Sequence, residues 1–384
     1  MTAYAPGEVL AGTEDHLAKL RAAWGILAGR EVFDFTGLER SLGLPEVPRG
    51  HLDDELAPAL YGERLSRLAL AHLGGSADRH DVFVANRTTA ALVAGMQVLV
   101  RPGSRVVGVS PSYTHPAAVR AVRLAGGEFD EGGAPEDADL VLLTRLAVTY
   151  EVLPLEQIEQ AMAAGVLVFV DDAGGARVGP AVFGQPKTLE LGAVAGVTGL
   201  DKYGTSGPRL GLLAGERELV QQIRARAVEL GLEARPMLYP AVVRSLEQYR
   251  PERVLELVET TNRLGDALTA RLGDLMRRTP VAVRLEGEDI LAEATRRGGR
   301  DSSLAPIEAT AALAMLLLRD HGVLTVHFAA LPPGTSALLL KFIPPETLER
   351  FGGAEAFATA VDESLDELAR LLASPEELRH LLTG

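Results

Sequence analysis

Val166-Leu167-Val168-Phe169-Val170 runs directly into Asp171-Asp172-Ala173-Gly174-Gly175-Ala176. Apolar residues in unbroken succession, rich in β-branched side chains, form a strand covered on both faces. Such strands build parallel sheets, and ligands collect in the crevice outside their carboxyl ends. Asp171 and Asp172 stand at that end. Neighbouring residues of a strand face opposite ways, so only one acid points into the crevice. Asp171 is the favoured one. An ionised carboxylate there would keep a heteroaromatic ring nitrogen protonated. No histidine cluster accompanies the pair, so no metal is expected.

Outward from this strand the same pattern repeats. Val82–Ala85, Arg105–Ser110, Asp139–Thr144, Val194–Thr198 and Arg209–Ala214 read as further strands. Helical patterns over Thr88–Val100, Pro116–Ala125 and Leu155–Ala164 lie between them. The expected architecture is α/β, with a mostly parallel central sheet. Pro251 to Arg278 then reads as a long helix with an apolar stripe. Strands near Val281–Leu285, Leu324–Phe328 and Ala337–Phe342 follow, mixed with helices over Pro306–Arg319 and Glu355–Leu372. The expected organisation is an N-terminal segment (1–50), a large domain (51–250), a connecting helix (251–278) and a smaller α+β C-terminal domain (279–384). The N-terminal segment has one helical pattern, around Glu14–Leu27.

Four of these strand ends, that of Asp171 among them, carry a motif. Asn86-Arg87-Thr88-Thr89 stands between a strand and a helix, where backbone N–H groups, hydroxyls and the Arg87 charge suit a phosphate monoester. Taken alone, a threonine there is also an ordinary cap. Ser110-Pro111-Ser112-Tyr113-Thr114-His115-Pro116 offers two flat side chains for a planar ring, His115 preferred and Tyr113 in reserve. Only four of the 38 basic residues are lysines: Lys19, Lys187, Lys202 and Lys341. Lys202, in Gly199-Leu200-Asp201-Lys202-Tyr203-Gly204, alone follows a buried strand and precedes a glycine-rich turn. A lysine projecting into the crevice is partly desolvated, which leaves its amine neutral often enough to attack a carbonyl. Thr198, ending the strand before it, and Arg209 after it complete the expected cofactor contacts.

Composition narrows the field. A formal charge of −14 disfavours broad nucleic-acid or anionic-membrane binding. The absence of cysteine removes disulfides, thiolate nucleophiles and Cys-ligated metals. The start, Met1-Thr2-Ala3-Tyr4-Ala5-Pro6, has no basic and apolar leader pattern, and the greasiest run, Ala309–Leu318, is too short to span a membrane. The cytoplasm is the expected setting. A nucleotide-binding dehydrogenase is disfavoured because no G-x-G-x-x-G follows the first strand.

Phosphate cup, ring-stacker, Asp and Lys each follow a successive strand. In this order, and over about residues 80–216, the chain resembles the fold-type-I pyridoxal 5′-phosphate (PLP) enzymes of the aspartate aminotransferase fold. More narrowly it is similar to the selenocysteine-synthase-like group (L-seryl-tRNA selenium transferase and its relatives) and to an archaeal pyridoxal-phosphate protein family. The matching segments are Asn86–Thr89, Ser112–Pro116, Val170–Ala173 with Gly175–Arg177, Asp201-Lys202, Gly207–Arg209 and Gly211–Gly215. The resemblance implies a Schiff-base lysine at Lys202, a pyridinium partner at Asp171 and a phosphate cup of Arg87, Thr88 and Thr89. It also implies a homodimer or higher homo-oligomer with active sites between subunits.

The expected activity is elimination or replacement on a small amino acid or amino-group substrate, with aminotransferase as the alternative and a non-catalytic PLP-binding scaffold as the second. Two departures bear on it. Residues 1–50 carry seven acids against five bases, which disfavours tRNA as a partner. Aminotransferases of this fold clamp the substrate carboxylate with an arginine in the small domain, whereas the late strand here carries Lys341. Arg209 or Arg177 remains for that task.

Overall fold

The computed structural model describes residues 9–10, 12–39, 46–326 and 336–384. They form two compact units, Leu38–Leu255, and the residues up to Gly37 together with Glu256–Gly384. In chain order the strands are β1 (Phe33–Asp34), β2 (His80–Ala85), β3 (Arg105–Val109), β4 (Glu128–Glu131), β5 (Leu140–Thr144) and β6 (Leu167–Asp171). These are followed by β7 (Ala195–Gly199), β8 (Gly211–Glu216), β9 (Met276–Thr279), β10 (Ala282–Glu286), β11 (Val323–Leu324) and β12 (Ala337–Lys341).

The first unit is built on a seven-stranded sheet in the order β2-β8-β7-β6-β5-β3-β4. All its pairs are parallel except those made by β8, which runs against β2 and β7. Its middle strands are buried along almost their whole length because helices cover both faces. On one side, Phe169, Leu142 and Val197 pack with Leu92, Met96 and Ile223; on the other, Val141, Val170 and Val168 pack with Ile158 and Leu153. Asp171 pairs in register with Thr144 on one side and Val197 on the other. The carboxyl ends of β5 and β6 are thus level, and β7 runs two residues further to Gly199.

The second unit holds the antiparallel sheet β12-β10-β9 and the parallel pair β1–β11. Its core gathers Val9, Leu10 and Ala23 with the helix Pro306–His321 and the helix Ala354–Leu371. Phe35 lies 4.4 Å, centroid to centroid, from Phe357. The N-terminal helix Thr13–Leu27 and the C-terminal residues therefore share one core, where the sequence reading separated 1–50 from 279–384. The expected long helix stops at Leu272 because Gly273 takes φ +58°, and the polar Met276–Thr279 becomes strand β9. Of the expected strand Leu324–Phe328, only Leu324 lies in a strand, at the end of β11, and His327 and Phe328 lie outside the described residues. Among the described residues, no helix is long and apolar enough to cross a membrane.

Candidate active site

The end of β6 separates its two acids. Asp172 is fully buried and accepts hydrogen bonds from Arg145 Nε (2.9 Å) and Thr188 Oγ1 (2.6 Å), with Arg145 Nη2 in closer contact still. Arg145 also donates to the Pro186 carbonyl at 2.7 Å. Asp171 is equally buried, yet its Oδ1 has no hydrogen-bond partner. Burial pushes its carboxyl up to about 6; the neighbouring Asp172 adds to this and Lys202 opposes it. Thr144 Oγ1, one strand away in register, is also buried without a partner.

Lys202 follows β7 by three residues. Its turn is closed by Thr205, whose hydroxyl donates to the Lys202 carbonyl at 2.7 Å. Burial holds the amine below its ordinary range, against the raising influence of Asp201 and Asp171; Arg177 and Arg209 push the same way as burial. The Nζ atom stands 5.5 Å from the centroid of the Tyr203 ring, within cation–π range. Tyr203 has φ +56° and Tyr150 φ +64°, a region costing a bulky residue about 1–3 kcal/mol. Their hydroxyls are 2.7 Å apart.

Two glycines bring the helix Thr88–Leu99 to this point. A Cβ on Gly199 would stand 3.3 Å from Lys202 Cε and 3.4 Å from Thr88 Oγ1, so both side chains border the same spot. A Cβ on Gly211 would stand 2.7 Å from the Arg87 carbonyl oxygen; only glycine lets the helix start lie so close on β8. Arg87 is the extended N-cap residue, and Arg87 and Thr89 are solvent-exposed. Asn86, also exposed, turns its amide toward the Gly231 carbonyl at 3.4 Å.

His115 caps the helix Pro116–Leu124 by accepting from Ala117 N–H at 3.0 Å through Nδ1. Burial first, then Lys202 and Arg120, lowers the imidazole to about 4. It is therefore neutral at physiological pH and within electrostatic reach of Lys202. Tyr113 lies at the exposed rim. Thr198 is buried and its hydroxyl faces the Ala173 carbonyl at 3.4 Å. Arg209 is mostly exposed, 3.8 Å from the Asp201 carboxylate.

The structure thus gathers Lys202, Asp171, Thr88 and His115, keeps Arg87, Thr89, Tyr113 and Arg209 at the periphery, and turns the Asn86 side chain aside. Arg177 is fully buried, with Nη2 donating to the Ala173 carbonyl at 3.2 Å, Nη1 3.4 Å from His72 Nε2, and Nε without a partner. His72 is pushed down to about 3 by burial and by Arg177 and Lys187, so it meets Arg177 as a neutral acceptor. Sequence reasoning missed Arg145, His72 and the tyrosine pair. Arg145 alone left a signal, since it follows β5 directly as Asp172 follows β6.

Solved structures share this arrangement of strands. The probable N-succinyldiaminopimelate aminotransferase of Thermus thermophilus superposes with a TM-score of 0.57 at 17% identity, covering 91% of this chain and 100% of that one. The aspartate aminotransferase of Thermotoga maritima gives 0.58 at 16% identity, covering 93% and 97%. The fold is that of the fold-type-I PLP enzymes, the aspartate aminotransferase fold. No family model matches the chain. Its sequence is 31% identical over 369 residues to the UPF0425 pyridoxal phosphate-dependent protein of Methanothermobacter thermautotrophicus, covering 93% of each. It is 32% identical over 312 residues to the protein of that name from Methanosphaera stadtmanae, covering 78% of this chain and 80% of that one. The chain belongs to the UPF0425 pyridoxal phosphate-dependent protein family.

Proposed function

We propose that this protein is a PLP-dependent enzyme acting on an amino acid or another small amino compound, with the cofactor attached to Lys202. The observation that carries the reading is the buried, unmatched Oδ1 of Asp171 within electrostatic reach of the partly buried Lys202. An acceptor left dry is costly, and a pyridine N–H is the donor that would satisfy it. Thr88 and Thr89 at the helix N-terminus, with Arg87, suit the phosphate. His115, neutral and flat, suits the ring face, and Tyr113 is its alternative. Thr198 supports the Ala173 carbonyl in the turn after Asp171.

When bound, PLP supplies an electron sink for charge developing on the substrate carbon next to nitrogen. Lys202 supplies an amine, held below its ordinary range by burial, to take or return a proton there. Asp171 stays ionised above about pH 6 and so holds a proton on the ring nitrogen.

For the outcome we favour elimination or replacement at the β- or γ-carbon, in keeping with a selenocysteine-synthase-like kinship but without tRNA. Lys341 supports this choice. It is buried, and Nζ donates to the Thr36 carbonyl at 2.7 Å, so it does not act as the arginine clamp of the aminotransferases. Transamination is the second reading, favoured by the exposed Arg209 guanidinium, which could meet a carboxylate. The same kinship points to a homodimer or higher homo-oligomer with shared active sites, and we favour the cytoplasm as its setting.

The test is addition of PLP to wild type and to Lys202→Ala, followed by borohydride and peptide mass. A visible band that reduction bleaches, with the label on Lys202 and none in the variant, is expected. No band, or one unchanged in the variant, overturns the assignment and leaves a non-catalytic scaffold. Pyridoxamine phosphate accumulating with an amino donor would favour the transaminase.

A further inference from the structure

Two bulky residues in contact with each other, one of them next to Lys202, share an uncommon backbone conformation. Tyr203, directly after Lys202, has φ +56°, and Tyr150, in the segment after β5, has φ +64°. Nothing local favours left-handed backbone at a tyrosine, so the surroundings must hold it there. Three contacts do so at Tyr203. Its hydroxyl meets that of Tyr150 at 2.7 Å, deep in the protein. Its ring fills space left by Gly174, where a Cβ would stand 2.5 Å from Tyr203 Cε2. Its face lies 5.5 Å from Lys202 Nζ. Burial raises both phenols far above their ordinary range, so both remain protonated and the pair persists at every working pH. Tyr203 therefore ties the lysine to the turn after Asp171 and to the loop after β5.

We propose that the Tyr150–Tyr203 hydroxyl pair is a positioning clamp, holding Lys202 in the orientation from which its amine attaches to the cofactor. The inference rests on the reading of Lys202 as the attachment site. Attachment replaces the aldehyde oxygen with the lysine nitrogen, the oxygen leaving as water, and its rate depends on how often the amine is correctly placed. Neither tyrosine needs to touch the cofactor.

The test uses full-length protein freed of cofactor, mixed with PLP and quenched with borohydride at timed intervals. The labelled Lys202 peptide gives the attachment rate. Pyridoxamine phosphate, which has no aldehyde, measures the pocket alone. Tyr150→Phe and Tyr203→Phe are each expected to slow attachment about tenfold. The double variant is expected to be no slower than either single one, because each removes the same bond. Pyridoxamine phosphate should bind all three variants as it binds wild type. Wild-type rates in the single variants, slowing that multiplies in the double variant, or a parallel loss of pyridoxamine phosphate binding would each overturn the clamp. Wild-type protein that never labels at Lys202 would overturn the parent reading as well, and is distinguishable from the other outcomes.

Discussion

Asp171 and Asp172 are consecutive, comparably buried and chemically identical, yet they face regions of opposite character. On the Asp172 side every charge is answered: Arg145 and Thr188 take the carboxylate, and the Pro186 carbonyl takes another Arg145 N–H. On the Asp171 side Oδ1 is unmatched, as is Thr144 Oγ1 of the neighbouring strand. A satisfied buried pair holds a fold together, whereas buried polar groups left unmatched mark a place prepared for something else. Removing one member of the satisfied pair is the most damaging way to test this. Asp172→Ala strands the Arg145 guanidinium, whose side chain has no solvent exposure, and should cost about 3–5 kcal/mol in chemical denaturation. A loss of the size seen for a surface substitution would erase the distinction between the two sides.

Asp171 should behave in the opposite sense. Its carboxyl stands at about 6 in the folded protein against an ordinary value near 3.8, so folding favours the protonated form. The stability this group contributes is complete below about pH 4 and is lost as pH rises through about 6. That displacement corresponds to about 3 kcal/mol at most. In cofactor-free protein, Asp171→Asn should therefore be more stable than wild type at pH 7, by about 1–3 kcal/mol, and should flatten the melting profile between pH 4 and 6. Adding PLP should reverse the ranking, because a ring N–H favours the ionised carboxylate and the amide cannot take its place. A variant less stable than wild type without cofactor would place Asp171 with the structural acids.

The sequence made these regions legible to different degrees, for physical reasons. Strand parity alone says that one of two consecutive acids faces the crevice, and the apolar run before them says where the strand ends. Lys202 was readable because so few lysines compete with it and only this one follows a buried strand. The pairings around Asp172 are harder to read, even though Arg145 stands directly after β5. Arg145 lies 27 residues away, and Arg177 meets His72 across 105 residues, separations that no periodicity encodes. The edge strand Glu128–Glu131 is mostly acidic and carries no apolar run to betray it. The pairing of β1 with β11 joins Phe33 to Val323, which local pattern cannot foresee. The sequence offers Arg177 for the substrate carboxylate, but its guanidinium is fully buried and donates to the Ala173 carbonyl.

His115 gives the mildest effect and the finest separation, because it serves the fold and the candidate site with different atoms. Nδ1 caps the helix Pro116–Leu124 through Ala117 N–H, while the ring face and its neutrality are what a stacked cofactor would use. His115→Ala should lose both, with about 1 kcal/mol of stability gone with the cap. His115→Asn keeps an oxygen able to cap and removes the aromatic face. It should recover most of that stability while PLP binding stays as weak as in the alanine variant. The imidazole, lowered to about 4, also adds stability that is present above about pH 6.5 and lost as pH falls through 4, and both variants should lack that acid-side dependence. If asparagine restores cofactor binding along with the cap, His115 belongs with Asp172 on the structural side, and ring stacking passes to Tyr113.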